Sequence, residues 1–170
     1  MTYWTTTDTP TGPFTFVADD DVVLTSGWTD DVAVLLERIG DDVRPAEVSE
    51  RTGASRISDA VTAYHGGDLT APDAIAVRQA SGPFITAAWA ALRKVEAGEV
   101  ITYTDLAARA GRPAAVRAAA SACARNHCAL FVPCHRVVRR DRGMGGFAWG
   151  VGVKRWLLDH EQPTAQLDLG

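Results

Sequence analysis

Hydrophobic positions in the first 80 residues occur in short runs separated by turn residues. Apolar runs at residues 14–17 and 22–24, with three aspartates between them, predict a β-hairpin. Apolar positions at helical spacing predict one helix over residues 32–39, capped by an aspartate, and a second over residues 57–64. Residues 73–80 predict a further strand. The pattern therefore indicates a small mixed lobe.

The positions after residue 80 follow a helical period. Pro83 suits the first turn of a helix, and apolar residues at helical spacing continue that helix to Gly98. Thr104 is the candidate cap of a short helix over residues 105–110. After a glycine, residues 113–125 predict another helix that begins at its proline. Two helices joined by a tight turn that contains glycine indicate a helix-turn-helix.

The change of period near residue 81 predicts an α/β protein of the α+β type with two lobes. A small N-terminal lobe over residues 1–80 carries a β-sheet and helices, and a mostly helical C-terminal lobe over residues 81–170 carries the helix-turn-helix. Five basic and fourteen acidic residues give the first lobe a formal charge of −9, whereas twelve and seven give the second +5. An anionic partner is expected on the second lobe, although two solvated faces of opposite sign would show the same composition.

Composition narrows the class of protein. The chain has 170 residues, of which 46% are hydrophobic, so it can bury a core. It shows neither a signal peptide nor a run of about eighteen apolar residues, so we expect a cytoplasmic protein without a membrane partner. Cys123, Cys128 and Cys134 form an odd set without the paired spacing of a zinc site. We therefore expect reduced thiols, no metal and no cofactor.

The predicted second helix of the helix-turn-helix is rich in alanine. Its small side chains let the backbone approach a partner closely, whereas helices that read the major groove usually present long polar side chains. Arg117 and Arg125 lie two turns apart on this helix. A shallow fit to the minor groove of DNA, held by phosphate contacts, would explain this composition. A buried packing helix, or simply a strong helix former, explains it equally well.

The stretch "FVPCHRVVRR" at residues 131–140 carries the candidate chemistry. The apolar run at residues 129–132 predicts a short buried strand that Pro133 ends, which places Cys134 at the rim of a site. An adjacent histidine and four following arginines favour the thiolate of this cysteine. A cysteine after a proline is also often an inert core residue, so the residues alone leave both interpretations open.

Residues 132–137 resemble the acceptor-site signature of the O6-alkylguanine-DNA alkyltransferases, the methylated-DNA--protein-cysteine methyltransferases. The similarity runs without a gap from residues 98–103 through Asn126 and the signature to residues 154–158 and Glu161. It covers the second half of the chain. The first lobe agrees only in its order of strands and helices.

The resemblance implies DNA repair by direct reversal. The protein would bind double-stranded DNA through the minor groove, extrude an O6-alkylguanine and move the alkyl group irreversibly to its own cysteine, acting once as a monomer. O4-alkylthymine is a further implied lesion, and a bacterial protein would be associated with the nucleoid. Cys134 resembles the acceptor, His135 its base through a water, and Glu161 the carboxylate that orients the imidazole. From the residues alone, Glu161 also fits an exposed glutamate at a helix end.

The resemblance also assigns residues that handle DNA. Asn126 resembles the residue that ties the helix-turn-helix to the active-site strand, although it also fits an ordinary loop asparagine. Arg117 resembles the arginine that replaces the extruded base. Tyr103 resembles the tyrosine that disturbs the adjacent phosphate, although it also fits a core aromatic. Further DNA contacts are expected from the same helix, at Ala115, Ala118, Ser121 and Arg125.

The loop over residues 145–150 departs from the family's substrate-pocket loop, in a pocket to which Val137 and Ala148 also belong by resemblance. Phe147 stands where the family has a tyrosine whose hydroxyl bonds the guanine ring, so we expect slower transfer. Trp149 stands where the family has glycine, and our hypothesis is that it excludes benzyl-sized groups. Stacking on the extruded base or displacement of the loop would also fit this tryptophan.

Other classes of function compete with alkyl transfer. A non-catalytic sensor of alkylated DNA would explain Phe147 and Trp149, although such proteins typically lack the cysteine that this chain keeps as Cys134. A cysteine hydrolase using Cys134 and His135 lacks an evident oxyanion loop, and a plain helix-turn-helix regulator does not explain the acceptor signature.

Overall fold

A computed structural model describes residues 1–162, and their contacts divide the chain into two units. The first unit contains residues 1–80 together with 127–131, and the second begins at Ser81 and resumes at Val132. The α/β class is confirmed. The sequence had placed residues 127–131 in the second lobe, but Ser26 holds this segment in the first unit. Its backbone N–H donates to the His127 carbonyl at 2.8 Å, and its hydroxyl donates to the Ala129 carbonyl at 2.7 Å.

The first unit is built on a five-stranded sheet with the order β4-β1-β2-β3-β5. The strands are β1 (Thr2–Thr9), β2 (Gly12–Asp19), β3 (Val22–Gly27), β4 (Ser49–Glu50) and β5 (Ala76–Val77). Strands β1, β2 and β3 pair antiparallel, whereas β4 and β5 add parallel edges. The predicted hairpin is confirmed as β2 and β3. The strand predicted over residues 73–80 shortens to β5, because a 3₁₀ turn occupies Ala71–Ala74.

Two helices of the first unit match the sequence pattern. Helix α1 (Val32–Arg38) begins after Asp31, whose carboxylate accepts from the Ala33 N–H at 3.0 Å. Helix α2 (Arg56–His65) ends at Gly66, as its glycine predicts. The apolar faces of the sheet and helices bury large side chains, among them Phe14 and Tyr64.

The second unit contains four helices among its described residues: α3 (Pro83–Leu92), α4 (Tyr103–Arg109), α5 (Val116–Arg125) and α6 (Val151–His160). Strands β6 (Ile101–Thr102) and β7 (Val137–Val138) pair in parallel. Helices α4 and α5 pack against each other and against α3, and the Trp89 indole N–H donates to the Ala122 carbonyl at 2.9 Å. In residues 1–162 no helix has the length and apolar character needed to cross a membrane.

The predicted end of α3 and the predicted cap of α4 are wrong. Helix α3 ends at Leu92 rather than Gly98, because the following N–H groups bond three residues back in tight turns. Thr102, not Thr104, caps α4: its hydroxyl accepts from the Asp105 N–H at 3.1 Å, while the Asp105 carboxylate accepts from the Thr102 N–H at 3.0 Å.

The segments that precede α5 and the candidate cysteine also differ from prediction. Helix α5 begins at Val116 rather than at Pro113, because residues 112–115 close a turn in which the Ala115 N–H donates to the Arg112 carbonyl at 2.9 Å. The strand predicted over residues 129–132 is a buried turn instead. Leu130 adopts φ 76° there, a left-handed conformation that an extended strand excludes.

Candidate active site

The candidate nucleophile lies on a short turn rather than at the end of a strand. After Pro133, a 3₁₀ turn over Cys134–Arg136 leads directly into β7. The Cys134 N–H donates to the Val132 carbonyl at 2.8 Å around Pro133, and the Arg136 N–H donates to the Pro133 carbonyl at 3.1 Å, which closes the 3₁₀ turn. Cys134 is 9% exposed, so its thiol lies at the edge of the buried interior, where a substrate atom can reach it.

His135 and Glu161 meet in the interior of the second unit. The imidazole Nε2 lies 2.9 Å from the Glu161 carboxylate, and both side chains are almost completely buried. Glu161 follows the last turn of α6, which turns its carboxylate inward. The alternative of an exposed glutamate is therefore wrong. The sequence correctly paired these two residues across the fold, although their roles stay a prediction.

Arg136 completes this network and was missed by the sequence analysis. Its Nε and Nη2 each donate to the Glu161 carboxylate at 2.9 Å, and its Nη1 donates to the Val95 carbonyl at 2.6 Å. A bidentate guanidinium fixes both the position and the charge of a carboxylate. The available signal in the sequence was its position, since Arg136 lies within the mostly apolar stretch over residues 128–138.

Electrostatics fix the protonation of this pair. Burial alone would raise the pKa of the Glu161 carboxyl, but the hydrogen bonds and charges of His135 and Arg136 outweigh it and hold that pKa well below its usual range. Burial lowers the pKa of the His135 imidazole, although Glu161 acts in the opposite direction. A carboxylate only accepts hydrogen bonds, so Nε2 carries the imidazole proton. The buried Nδ1, which has no hydrogen-bond partner within residues 1–162, keeps its lone pair as a base.

A cavity of about 420 Å³ opens beside the candidate cysteine. It is lined by residues of α4, α5, the 3₁₀ turn and the loop before α6. The structure brings six of the predicted site residues to its wall: Tyr103, Asn126, Cys134, Phe147, Ala148 and Trp149. Val137, also predicted for the pocket, lies in β7 with its side chain fully buried, outside this wall.

Two polar residues, Asn126 and Tyr103, lie in the wall of the cavity. Asn126 ends α5, and its side-chain amide donates to the Val132 carbonyl at 2.8 Å, which ties this helix to the segment before Cys134. Tyr103 is the first residue of α4. Burial, with further contributions from the nearby cysteines, raises the pKa of Tyr103 to about 12, so its hydroxyl keeps its proton at neutral pH.

The residues predicted to contact DNA lie along α5. Arg117, Ser121 and Arg125 are exposed and spaced four residues apart, so they share one outer stripe of the helix. Ala115 and Ala118 are half-buried beside it. The alternative of a packing helix accounts for the opposite face, where the alanines at 119 and 122 are buried.

Lys154 and Cys123 were also missed as members of the site. Lys154 is buried in α6, and its ammonium donates to the Val137 carbonyl at 2.7 Å and the Gly146 carbonyl at 3.3 Å. Cys123 lines the cavity together with Cys134. Residues 1–162 contain no cluster of three or more histidine, cysteine or acidic side chains able to hold a metal ion.

Comparisons with known proteins agree on one family. Residues 83–163 match the model described as 6-O-methylguanine DNA methyltransferase, DNA binding domain. A methylated-DNA--protein-cysteine methyltransferase of Salmonella typhimurium is 35% identical over 156 residues, which is 90% of this chain and 91% of the relative. A Mycobacterium tuberculosis O6-methylguanine methyltransferase has a similar structure with a TM-score of 0.79 and 30% identity, covering 99% of this chain and 97% of that one. An M. tuberculosis OGT in complex with DNA gives a TM-score of 0.80 at 28% identity, over 94% and 92% of the two chains. With Cys134 in the wall of a cavity and His135 bound to Glu161 in the interior beside it in the chain, these similarities establish that the chain belongs to the methylated-DNA--protein-cysteine methyltransferase family.

Proposed function

We propose that this protein repairs DNA by moving the alkyl group of O6-alkylguanine, chiefly methyl, to its own Cys134. The observation that carries the proposal is the placement of Cys134 in the cavity wall beside His135, whose Nε2 is fixed by Glu161 at 2.9 Å. A thiol, a base and an orienting carboxylate are the groups that nucleophilic attack by cysteine requires. The protein acts as a cytoplasmic monomer, at the nucleoid if it is bacterial.

The proton path follows from the imidazole tautomer. Because Nε2–H donates to Glu161, Nδ1 is the nitrogen that accepts the Cys134 proton, through one water. The thiolate attacks the alkyl carbon, and the S–C bond forms as the bond from that carbon to O6 breaks. The electron pair passes to guanine, which takes up a proton in exchange for the one that the thiol lost. The thioether is stable, so each molecule acts once.

The lesion must leave the duplex to reach this site. The O6 substituent is enclosed by the base stack, and extrusion costs a few kcal/mol, less for a poorly paired damaged base. In this proposal the exposed stripe of α5 lies in the minor groove, Arg117 fills the gap in the stack, and Tyr103 disturbs the neighbouring phosphate. O4-alkylthymine carries the same alkyl ether and is a second substrate.

The test counts guanines restored per protein molecule. Duplex DNA carrying one O6-methylguanine is supplied in excess, and the restored guanine is quantified by digestion and chromatography. We expect one guanine per protein and no further turnover, with none for Cys134→Ala. A protein that binds the lesion tightly but restores no guanine would instead be a sensor. That second candidate is supported by the presence of Phe147 and Trp149 in the cavity wall.

A further inference from the structure

Lys154 places a positive charge in the interior of the second unit. It is 1% exposed, whereas Lys94, the other lysine of the chain, is exposed. Its ammonium donates to two neutral carbonyls and forms no ion pair with a carboxylate of residues 1–162. A buried ammonium without an anion is unfavourable, and two carbonyls offset only part of its lost hydration. Such a charge indicates that an anion forms nearby when the protein works.

The ammonium lies between the nucleophile turn and the cavity loop. Val137, whose carbonyl it contacts, begins β7 directly after the 3₁₀ turn that carries Cys134, and Gly146 belongs to the cavity wall. A Cβ placed on Gly145 would lie 3.5 Å from the Lys154 ammonium nitrogen and 2.8 Å from the Tyr103 hydroxyl. Lysine and tyrosine therefore converge on one point of the loop.

The titratable groups that face Lys154 reduce the choice of anion to one. They come from three elements: Tyr103 from α4, Cys123 from α5, and Cys134 and His135 from the nucleophile turn. Burial raises the pKa of the Cys123 thiol, and burial also raises the pKa of Tyr103 to about 12, so both stay neutral. His135 stays neutral because burial lowers the pKa of its imidazole, and the charges of Arg136 and Glu161 compensate each other. Among the side chains of residues 1–162 that face Lys154, the remaining candidate is the thiolate of Cys134.

We propose that Lys154 is a positioning residue whose ammonium stabilises the Cys134 thiolate while it ties the cavity loop to β7. This role rests on the proposed alkyl transfer, in which the Cys134 thiolate attacks the alkyl carbon. Its physical content, a larger thiolate fraction at neutral pH, is measurable on the free protein without DNA. The two proposals can therefore fail separately.

The first test is the pH dependence of Cys134 alkylation by iodoacetamide, resolved at the peptide level so that the other two cysteines do not interfere. The full chain is compared with Lys154→Gln, which keeps amide donors for the two carbonyls but removes the charge. Lys94→Gln is the matched control, since it makes the same change at the exposed lysine.

We expect the pH midpoint of alkylation to rise by about one unit in Lys154→Gln, which lowers the rate at neutral pH about tenfold and leaves the high-pH plateau unchanged. Lys94→Gln should match wild type. A rate lowered equally at every pH, with the midpoint unchanged, would mean that Lys154 only holds the loop, and would overturn the proposal.

A second measurement leaves Lys154 intact and tests its coupling to the Cys134 thiolate even if Lys154→Gln does not fold. With only two lysines, ¹³Cε signals of labelled lysine can be titrated individually by NMR. The Lys154 midpoint should be lower in Cys134→Ser than in wild type, because the anion that favours the ammonium is gone, while Lys94 stays unchanged. Equal Lys154 midpoints in the two proteins would refute the coupling. Failure of methyl transfer from DNA, with these shifts present, would count against the proposed function alone.

Discussion

Replacing Glu161 with glutamine changes one charge at the centre of the buried network and almost nothing of its shape. The carboxylate accepts three hydrogen bonds of 2.9 Å, from His135 Nε2 and from Arg136 Nε and Nη2. Removing one partner of a buried ion pair costs about 3–5 kcal/mol. The glutamine oxygen keeps part of the Arg136 interaction, so we expect the lower end of that range, about 3 kcal/mol. For a chain of this size the melting temperature should fall by roughly 6–12 °C.

The same change should slow catalysis by moving a proton. If the amide oxygen of Glu161→Gln faces Arg136, its NH₂ group faces Nε2 of His135, and Nε2 must then accept rather than donate. The imidazole proton moves to Nδ1, the nitrogen that should take the Cys134 proton. General bases contribute about 10²–10⁴ in rate, so the single-turnover rate of methyl transfer should fall by about two orders of magnitude or more.

Glu99→Gln is the matched control. Glu99 pairs with Arg109 at 2.7 Å, a shorter contact than any in the buried network except one, but both side chains are about 40% exposed. A solvated pair contributes about 0–1 kcal/mol, so this variant should be nearly as stable as wild type and equally active. A Glu161→Gln protein that loses no more stability than Glu99→Gln, or that transfers methyl at the wild-type rate, would refute these roles of the buried carboxylate.

Three further outcomes follow from the site. Phe147→Tyr should raise the single-turnover rate about fivefold or more, because a hydroxyl bonding the buried guanine contributes about 1 kcal/mol or more; an unchanged rate contradicts this. Trp149→Gly should raise the rate on O6-benzylguanine relative to O6-methylguanine, and equal rates on the two adducts in wild type would exclude the tryptophan as a size filter. Folding lowers the pKa of both His135 and Glu161, so stability against urea should fall with acidification. The fall should begin at about pH 6.5, where His135 is protonated in the unfolded chain, and should steepen below about pH 4.3, where Glu161 is protonated in the unfolded chain. Because folding also lowers the pKa of other carboxyls, among them Glu99 and Asp105, Glu161→Gln should reduce the lower part of this profile without abolishing it; an unaltered profile would show that Glu161 does not contribute to it.

Local sequence signals were sufficient to predict the ends of helices that are marked by capping residues or glycines. Asp31 marks the start of α1 through side-chain capping, and the glycines after α2 mark its end, where Gly67 adopts a left-handed φ of 114°. Strand β1 was missed because its threonine-rich sequence has few apolar positions, although threonine suits a pleated strand. Its pairing with β2 depends on partners rather than on its own pattern.

The motif residues of the candidate site were predictable from the sequence, whereas the buried cations beside them were not. Cys134, His135 and Glu161 were assigned by resemblance, and the structure brings the last two into contact across 26 positions. Arg136 and Lys154 were missed because a cation is expected on the surface, and only the fold shows which anion or carbonyl allows its burial. The buried turn at 129–132 was mistaken for a strand, since an apolar run reports burial and not backbone conformation.

The central claim is that Cys134 accepts the alkyl group, and intact-protein mass spectrometry tests it most directly. The full chain and Cys134→Ala are incubated with duplex DNA carrying one O6-methylguanine, then digested to locate any added mass. The account predicts a stoichiometric gain of one methyl group, located on the Cys134 peptide and absent from the variant. No gain in wild type despite binding of the lesion, or a methyl group on Cys123 or Cys128, would contradict it.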